Sequence, residues 1–432
     1  MRRHAALTLA LLLPACGRGP GRQYGALPPP GAEACTAAVD ATPDPAAARS
    51  SLAATFLAKL GKAKLMVGAD MNEQVAESAP FDARYMYIAG GLADGSGTCT
   101  SCASGCTAKG ISCATTAGCG WWACWQDVSL PPGKYLRDFL DKAQAKNQLP
   151  LLTYYELLQT GTAAEGAPEV VELNDAALMT RYYNDWRFVL QQVGTRTALM
   201  HIEPDLWGYA EKLNPDPHLI VAAVARANPT DCAGQEESVA GFGRCLISMV
   251  RKYAPNAKVG LHASGWATGA DATENRNPSF DVAADGRKVA DFLLECGAGE
   301  SDYVVLYVSD RDAGWLRAQG ATNPFWDATN ATLPNFTQAF AWGKAVTERM
   351  MLPSLWWSIP LGNMSLPNVV NRWQDNKLDY FFAHPAEVAA SNAFGMLFGS
   401  GEVNQTNPST DGGNLVSRVR TLAAAGGQAV CR

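Results

Sequence analysis

The chain has 432 residues, of which 47% are hydrophobic and 18% charged, and its net charge at pH 7 is −6. This is the composition of a globular protein with a large core, and the absence of a Lys/Arg stripe with interleaved aromatics excludes a nucleic-acid partner. The five His show neither HxH nor HExxH spacing, so we expect no metal and no cofactor.

The first 16 residues predict a signal peptide. Residues 1–4 are basic, and residues 5–13 form an apolar segment too short to span a membrane. The following Leu-Pro-Ala-Cys16 resembles a bacterial lipobox with Cys16 as the acylated residue, although Pro14 is unusual there and leaves ordinary cleavage open. Residues 17–48 are rich in Gly, Pro and Ala and predict a tether. We therefore expect an exported protein, either a lipoprotein of the outer membrane or cell surface or a secreted protein, which touches the membrane only through a lipid at Cys16.

Cysteine usage also indicates an oxidising compartment. Six of the 12 Cys lie within residues 94–128, at positions 99, 102, 106, 113, 119 and 124. A disulfide-stapled insertion is favoured there over metal ligands at the CxxC of Cys99 and Cys102. Cys232 and Cys245 flank another short loop, and Cys35 and Cys431 lie near the two ends of the mature chain. Acylation of Cys16 would leave an odd number, and we expect Cys296 to be the free thiol.

Eight short apolar runs follow one another along the chain and predict strands. They are Leu65–Asp70, Tyr85–Gly90, Leu149–Glu156, Thr197–Asp205, Lys258–Trp266, Tyr303–Asp310, Ser354–Gly362 and Ala393–Gly399. Helical periodicity is clearest in the segments between them that span 135–146, 175–192, 239–253, 287–294, 336–349 and 415–425. This alternation predicts an α/β fold, a single (β/α)8 barrel over residues 49–432, with the 94–128 insertion in the second βα loop. We expect a monomer.

Polar side chains recur where the predicted strands end, which is where barrels of this kind place their chemistry. These residues are Asp70, Tyr155, Glu156, His201, Glu203, Asp205, His262, Ser264, Trp266, Asp310, Asp312, Trp357, Asn363 and Glu402. Strand alternation predicts that His201 and Glu203 share one face, and that Trp356 or Trp357 points away from the interior. Any single acid here also fits a helix cap or a rim salt bridge. Their recurrence at five or more strand ends favours an active site.

Paired carboxylates beside Trp rings are typical of glycoside hydrolysis. Glu203-Pro204 at the end of the fourth strand resembles the Glu-Pro of the large clan of retaining (β/α)8 glycoside hydrolases, in which that Glu is the acid/base. The chain departs from that clan in having Ile202 where Asn is usual, and in lacking a nucleophilic Glu in the seventh strand, Ser354–Asn363. The segments 202–205 and 309–312 are also similar to segments of family six cellobiohydrolases, where they occur in the opposite order.

The resemblance implies a glycosidase that acts on a poly- or oligosaccharide, with Glu203 as general acid. We expect Asp310 to be the base or nucleophile, with Asp70, Glu156 and Asp312 as alternatives. The residues expected to bind substrate are His201, Asp205, Asp70, Tyr155, Glu156, His262, Trp266, Asp312, Trp357 and Asn363. Trp121, Trp122 and Trp125 of the insertion could form its small core or stack on sugars.

Two other functions fit the same residues. The missing seventh-strand Glu also fits a surface-anchored carbohydrate-binding protein with a degenerate barrel. A metal-dependent hydrolase or deacetylase would use His201 and His262 as ligands together with Glu203 or Asp310. The simpler interpretation of the two His is that they bind substrate hydroxyls or tune Glu203.

Overall fold

A computed structural model describes residues 51–89, 106–108, 111–113 and 133–430 of the chain. The predicted signal peptide and tether, and most of the insertion with its three Trp, lie outside the described residues. The pairing of Cys35, Cys431 and the insertion cysteines therefore stays a prediction.

Eight parallel strands close into a barrel, and two further strands pair antiparallel as a small hairpin within the insertion. The strands are β1 (Met66–Asp70), β2 (Ala83–Ile88), β3 (Cys106–Ala108), β4 (Ile111–Cys113), β5 (Leu149–Tyr154), β6 (Leu199–Ile202), β7 (Lys258–Ala263), β8 (Tyr303–Leu306), β9 (Ser354–Ile359) and β10 (Ala393–Phe398). The barrel order is β1-β10-β9-β8-β7-β6-β5-β2, with β1 pairing both β2 and β10. The predicted (β/α)8 fold is confirmed, and each predicted apolar run corresponds to one barrel strand.

Helices cover the outside of this barrel. They are α1 (Ser51–Lys59), α2 (Glu73–Ser78), α3 (Lys134–Ala145), α4 (Leu157–Thr160), α5 (Ala167–Glu172), α6 (Ala176–Val193), α7 (Leu206–Leu213), α8 (Val239–Tyr253), α9 (Val282–Glu295), α10 (Ala313–Ala318), α11 (Phe336–Met350), α12 (Lys377–Ala383), α13 (Pro385–Ala390) and α14 (Asn414–Ala424). The six segments with clear helical periodicity correspond to α3, α6, α8, α9, α11 and α14. The short helices in the βα loops were not predicted, because one or two turns carry too few apolar positions to show a period.

The barrel interior is apolar at its amino-terminal end and polar at the other. Met66, Leu151 and Leu199 belong to the interior cluster, and Phe56 of α1 closes the cluster from below against Tyr303, with ring centroids 5.7 Å apart. Burial of each such large side chain contributes on the order of 1.5–3 kcal/mol. The amino-terminal end is therefore a packed plug, and any ligand must enter from the carboxyl end.

The cysteine predictions that can be examined hold. Cys232 and Cys245 form a disulfide that ties the loop before α8 to that helix, and Cys296 is free and buried. Among the described helices, none has the length and apolar character needed to cross a lipid bilayer.

Candidate active site

Two His and a Trp from three different strands form the floor of the carboxyl end of the barrel, which we call the mouth. His201 of β6 and His262 of β7 are stacked with ring centroids 5.1 Å apart, and Trp357 of β9 meets both edge-on at 4.7 and 5.6 Å. All three side chains are at most 5% exposed. As predicted, one of the two adjacent Trp faces outward. It is Trp356, which packs on Phe340 of α11, whereas Trp357 faces the interior.

The two His form one hydrogen-bonded chain that begins at a threonine. Thr153 Oγ1 lies 3.2 Å from His201 Nδ1, and His201 Nε2 lies 3.0 Å from His262 Nδ1. Burial lowers the pKa of both rings, that of His262 to about 3, so both are neutral near pH 7. A neutral pair shares one proton between the facing nitrogens, so His262 Nε2 is a donor if Thr153 donates to His201 and an acceptor if Thr153 accepts.

Three strand ends at this mouth carry backbone strain. Glu203, Ser309 and Ser358 have φ values of 42°, 53° and 57°. These values lie in the left-handed backbone region, which residues other than Gly and Asn rarely adopt. At Ser358 the β9–β10 register also shifts, which places a bulge beside Trp357. Such strain and bulges cluster at functional sites, where they re-aim side chains.

Two tyrosines of β2 complete the wall and were missed by the sequence analysis. Tyr85 and Tyr87 pack on Trp357, with centroids 5.9 and 5.7 Å away. Burial raises the pKa of the Tyr87 phenol, and the carboxylates of Asp310, Asp70 and Asp205 raise it further. All three acids are therefore near enough to this one phenol to act on it electrostatically. The alternation Tyr-x-Tyr at a strand end was the signal that could have revealed this wall.

Asp205 is the mouth carboxyl with the clearest acid character. It precedes α7 and is half-buried, and burial, with the nearby charges of Asp310 and Glu165, raises its pKa to about 7. The guanidinium of Arg311 and a hydrogen bond donated by Tyr155 oppose that shift. The raised pKa allows Asp205 to hold a proton near neutral pH, as a general acid should.

Asp310 follows β8 and lies beside Arg311. Arg311 forms an ion pair with Asp310, and its Nε donates to Glu402 at 2.8 Å. Gly401 fits against this pair, since a Cβ there would lie 2.6 Å from Asp310 Oδ2. The loop after β10 thus fixes the position of Asp310 through Arg311, and Asp310 is presented as a carboxylate with a cationic neighbour.

Glu203 lies elsewhere, and the prediction that it shares a face with His201 is wrong. The positive φ of Glu203 turns its side chain away from the alternation of β6. Its Oε1 accepts hydrogen bonds from the backbone N–H groups of Glu156 and Leu157, at 3.0 and 3.1 Å, and from the Tyr182 hydroxyl of α6 at 2.8 Å. The carboxyl is fully buried and caps the start of α4, which does not fit the predicted role as an acid that reaches substrate.

Another buried carboxyl group, that of Glu169, lies near Glu203 behind the mouth. Glu169 of α5 is fully buried with neither side-chain oxygen hydrogen-bonded, and burial, followed by the charges of Glu203 and Asp205, raises its pKa to about 9. Burial likewise raises the pKa of Glu203 to about 8. Burial therefore favours the protonated form of both groups, which lie behind the loops of the mouth.

Four predicted binding residues contact neighbouring loops or helices. Asp312 is buried and accepts hydrogen bonds from the N–H groups of Gly362 and Thr406, while burial and Asp375 raise its pKa to about 7. Asn363 donates to the Asp411 carbonyl. The buried Glu156 stands at the N-cap position of α4, and Trp266 packs on Tyr209 of α7 at 4.7 Å. Strand β7 ends at Ala263, so Ser264 and Trp266 lie beyond the strand.

Within residues 51–89 and 133–430, no group of three or more His, Cys, Asp or Glu side chains is arranged to hold a metal ion. His201 and His262 bond to each other, which leaves only His262 Nε2 open.

No protein-family model matches the chain, and no curated protein matches it. Solved structures similar to it include a modular endo-β-1,4-mannanase from Cellulomonas fimi, at 10% identity over 88% of this chain and 74% of that one, with a TM-score of 0.47. A Paenibacillus polymyxa xyloglucanase of glycoside hydrolase family 44 has 13% identity over 83% and 76%, with a TM-score of 0.42. One of two fungal β-1,4-galactanases has 9% identity over 83% and 100%, also with a TM-score of 0.42. Of these, the mannanase is a glycoside hydrolase of family 26.

Proposed function

We propose that this protein is a glycoside hydrolase that acts on a poly- or oligosaccharide. The observation that carries the proposal is the pair Asp205 and Asp310, which act on each other at the barrel mouth and on the same Tyr87 phenol. One member has acid character near neutral pH and the other lies against a guanidinium. Cleavage of a glycosidic bond uses two carboxyl groups in different environments, one as general acid and one as base or nucleophile.

In this proposal Asp205 protonates the leaving glycosidic oxygen. Asp310, ion-paired with Arg311, attacks the anomeric carbon or activates a water molecule. A separation of about 5–5.5 Å between the two carboxyl groups gives retention of anomeric configuration, and about 6.5–9.5 Å gives inversion. The acid is thus Asp205 rather than Glu203, and Asp310 keeps its predicted role.

The surrounding residues position these two acids and the sugar. Tyr155 donates a hydrogen bond to Asp205. Glu203 holds the backbone of Glu156 and Leu157, directly after Tyr155, so it acts as a positioning residue. The half-buried Tyr87, which packs on Trp357, offers aromatic surface on which a sugar ring can pack.

A carbohydrate-binding protein without turnover is the second candidate. It is favoured by the end of β9, which reads Trp-Trp-Ser-Ile and carries no carboxylate.

Reducing-sugar release from a panel of α- and β-linked glycans tests the proposed function. We expect the full-length protein to release reducing ends from at least one glycan, and EDTA to leave the rate unchanged because the chemistry uses carboxyl groups alone. Binding of a glycan without release would favour the second candidate. Loss of activity on chelation would favour a metal-dependent hydrolase.

We further propose that the protein is exported and lipid-anchored at Cys16. The Cys232–Cys245 disulfide supports export, because disulfides persist in oxidising compartments. In a bacterial host, radiolabelled palmitate should be incorporated into the wild-type protein and not into Cys16→Ala. Equal labelling of both proteins, or labelling of neither, would contradict the anchor.

A further inference from the structure

Two buried donors or acceptors on the floor of the mouth have no partner. Among the described residues, His262 Nε2 and Trp357 Nε1 make no hydrogen bond, although their side chains are only 1% and 5% exposed. A buried polar atom without a partner costs about 1–3 kcal/mol. The two rings contact each other, so the two nitrogens without a hydrogen-bond partner lie in the same part of the floor. This place suits a ligand that carries hydroxyl groups.

An unpaired carboxyl group lies beside this floor. Asp70 ends β1 and is in register with Tyr85, whose ring packs on Trp357. In the described part of the chain, Asp70 forms no side-chain hydrogen bond or ion pair, and Arg84 acts on it only as a nearby charge. Arg84 itself pairs with Glu73 at 2.6 Å and donates to the Met71 carbonyl. The half-buried Asp70 is thus open to a cation from outside the chain.

The charges of the mouth are unbalanced. Asp70, Asp205 and Asp310 all act on Tyr87, and Arg311, the guanidinium beside them, is shared between Asp310 and Glu402. Asp70 therefore adds a negative charge that no ion pair among the described residues balances, and Asp205 adds to this charge whenever it is deprotonated. A sugar that carries a carboxylate would be repelled from this mouth, and a sugar that carries an ammonium group would be attracted.

We propose that the mouth binds a sugar residue with a free amino group, its ammonium against Asp70 and its hydroxyls against His262 Nε2 and Trp357 Nε1. The inference rests on one part of the proposed function, namely that the mouth binds a glycan. It narrows the substrate class to amino-sugar polymers, as opposed to neutral, N-acetylated or uronic-acid polymers.

Binding of three matched tetrasaccharides tests this inference. They are oligomers of glucosamine, N-acetylglucosamine and galacturonic acid, titrated against the full-length protein by tryptophan fluorescence within seconds of mixing. We expect the glucosamine oligomer to bind at least about tenfold more tightly than its N-acetylated counterpart, because a charge-assisted hydrogen bond replaces a neutral contact. We expect no detectable binding of the galacturonate oligomer.

Asp70→Asn separates the ammonium contact from general sugar binding. In this variant the two hexosamine oligomers should bind with equal affinity, and the N-acetylated oligomer should bind as it does to the wild type. Equal affinities in the wild type, a preference that survives Asp70→Asn, tight galacturonate binding, or no binding of any oligomer would each overturn the inference. If the protein hydrolyses neutral glycans but does not prefer the glucosamine oligomer, this inference fails and the proposed hydrolase function stands. If it prefers the glucosamine oligomer but hydrolyses no glycan, the hydrolase function fails and this inference stands.

Discussion

Asp205→Asn and Asp310→Asn should each lower kcat by about 10³-fold or more on the glycan that the wild-type protein hydrolyses. The first change removes the proton that the leaving oxygen must receive, and the second removes the carboxylate that attacks or activates water. General acid–base groups contribute about 10²–10⁴-fold, and a lost nucleophile costs at least as much. Initial rates of reducing-sugar release over a range of substrate concentrations measure the effect.

Asp291→Asn is the matched control for these variants. Asp291 forms a surface ion pair with Arg349 between α9 and α11, with both side chains about half exposed. Exposed pairs of this kind contribute at most about 1 kcal/mol, so kcat should stay at the wild-type value. Wild-type turnover by either mouth variant, with its folding confirmed by circular dichroism, would remove that residue from the proposed mechanism.

The second large effect is expected on stability. Glu203→Ala should lower the free energy of unfolding by about 3 kcal/mol or more, because it leaves three donors buried without an acceptor. Glu203→Gln should cost less, since its amide oxygen can accept the same three hydrogen bonds. Urea unfolding followed by tryptophan fluorescence measures both variants.

Glu172 offers a matched control for this effect. Its Oε1 also accepts three hydrogen bonds, from the N–H and hydroxyl of Thr162 and from the N–H of Ala163, but at an exposed site. Water can replace a carboxylate there, so Glu172→Ala should cost no more than about 1 kcal/mol. Equal losses for Glu172→Ala and Glu203→Ala would contradict the assignment of Glu203 to a buried anchor.

The architecture could be predicted because the signal for it is local. Each barrel strand is a short apolar run, and each long helix shows its period within its own residues, as α8 does over Val239–Tyr253. The polar strand ends followed from the same pattern. Regular alternation also predicted that one of Trp356 and Trp357 faces outward, and in the structure it is Trp356.

The site was harder to predict because it depends on backbone geometry for which the sequence carries no signal. Glu203 and Ser358 adopt positive φ, although neither Glu nor Ser is a residue type that favours it. At Glu203 the positive φ turns the side chain away from the strand face that alternation predicts. Asp312 and Asn363 looked like rim residues, but they form hydrogen bonds between loops that meet only in the folded chain. The acid character of Asp205 likewise depends on burial and on Asp310, which lies 105 positions away in the sequence.

The pH dependence of kcat/KM tests the central claim, that Asp205 is the acid of the mouth, most directly. Because the acid must be protonated and its pKa is raised to about 7, kcat/KM of the wild type should fall as the pH rises through about 7. Glu203→Gln should keep this alkaline limb and a kcat within about threefold of wild type, whereas the residual activity of Asp205→Asn should lack the limb. An alkaline limb that persists in Asp205→Asn and disappears in Glu203→Gln would contradict the claim and return the acid to Glu203.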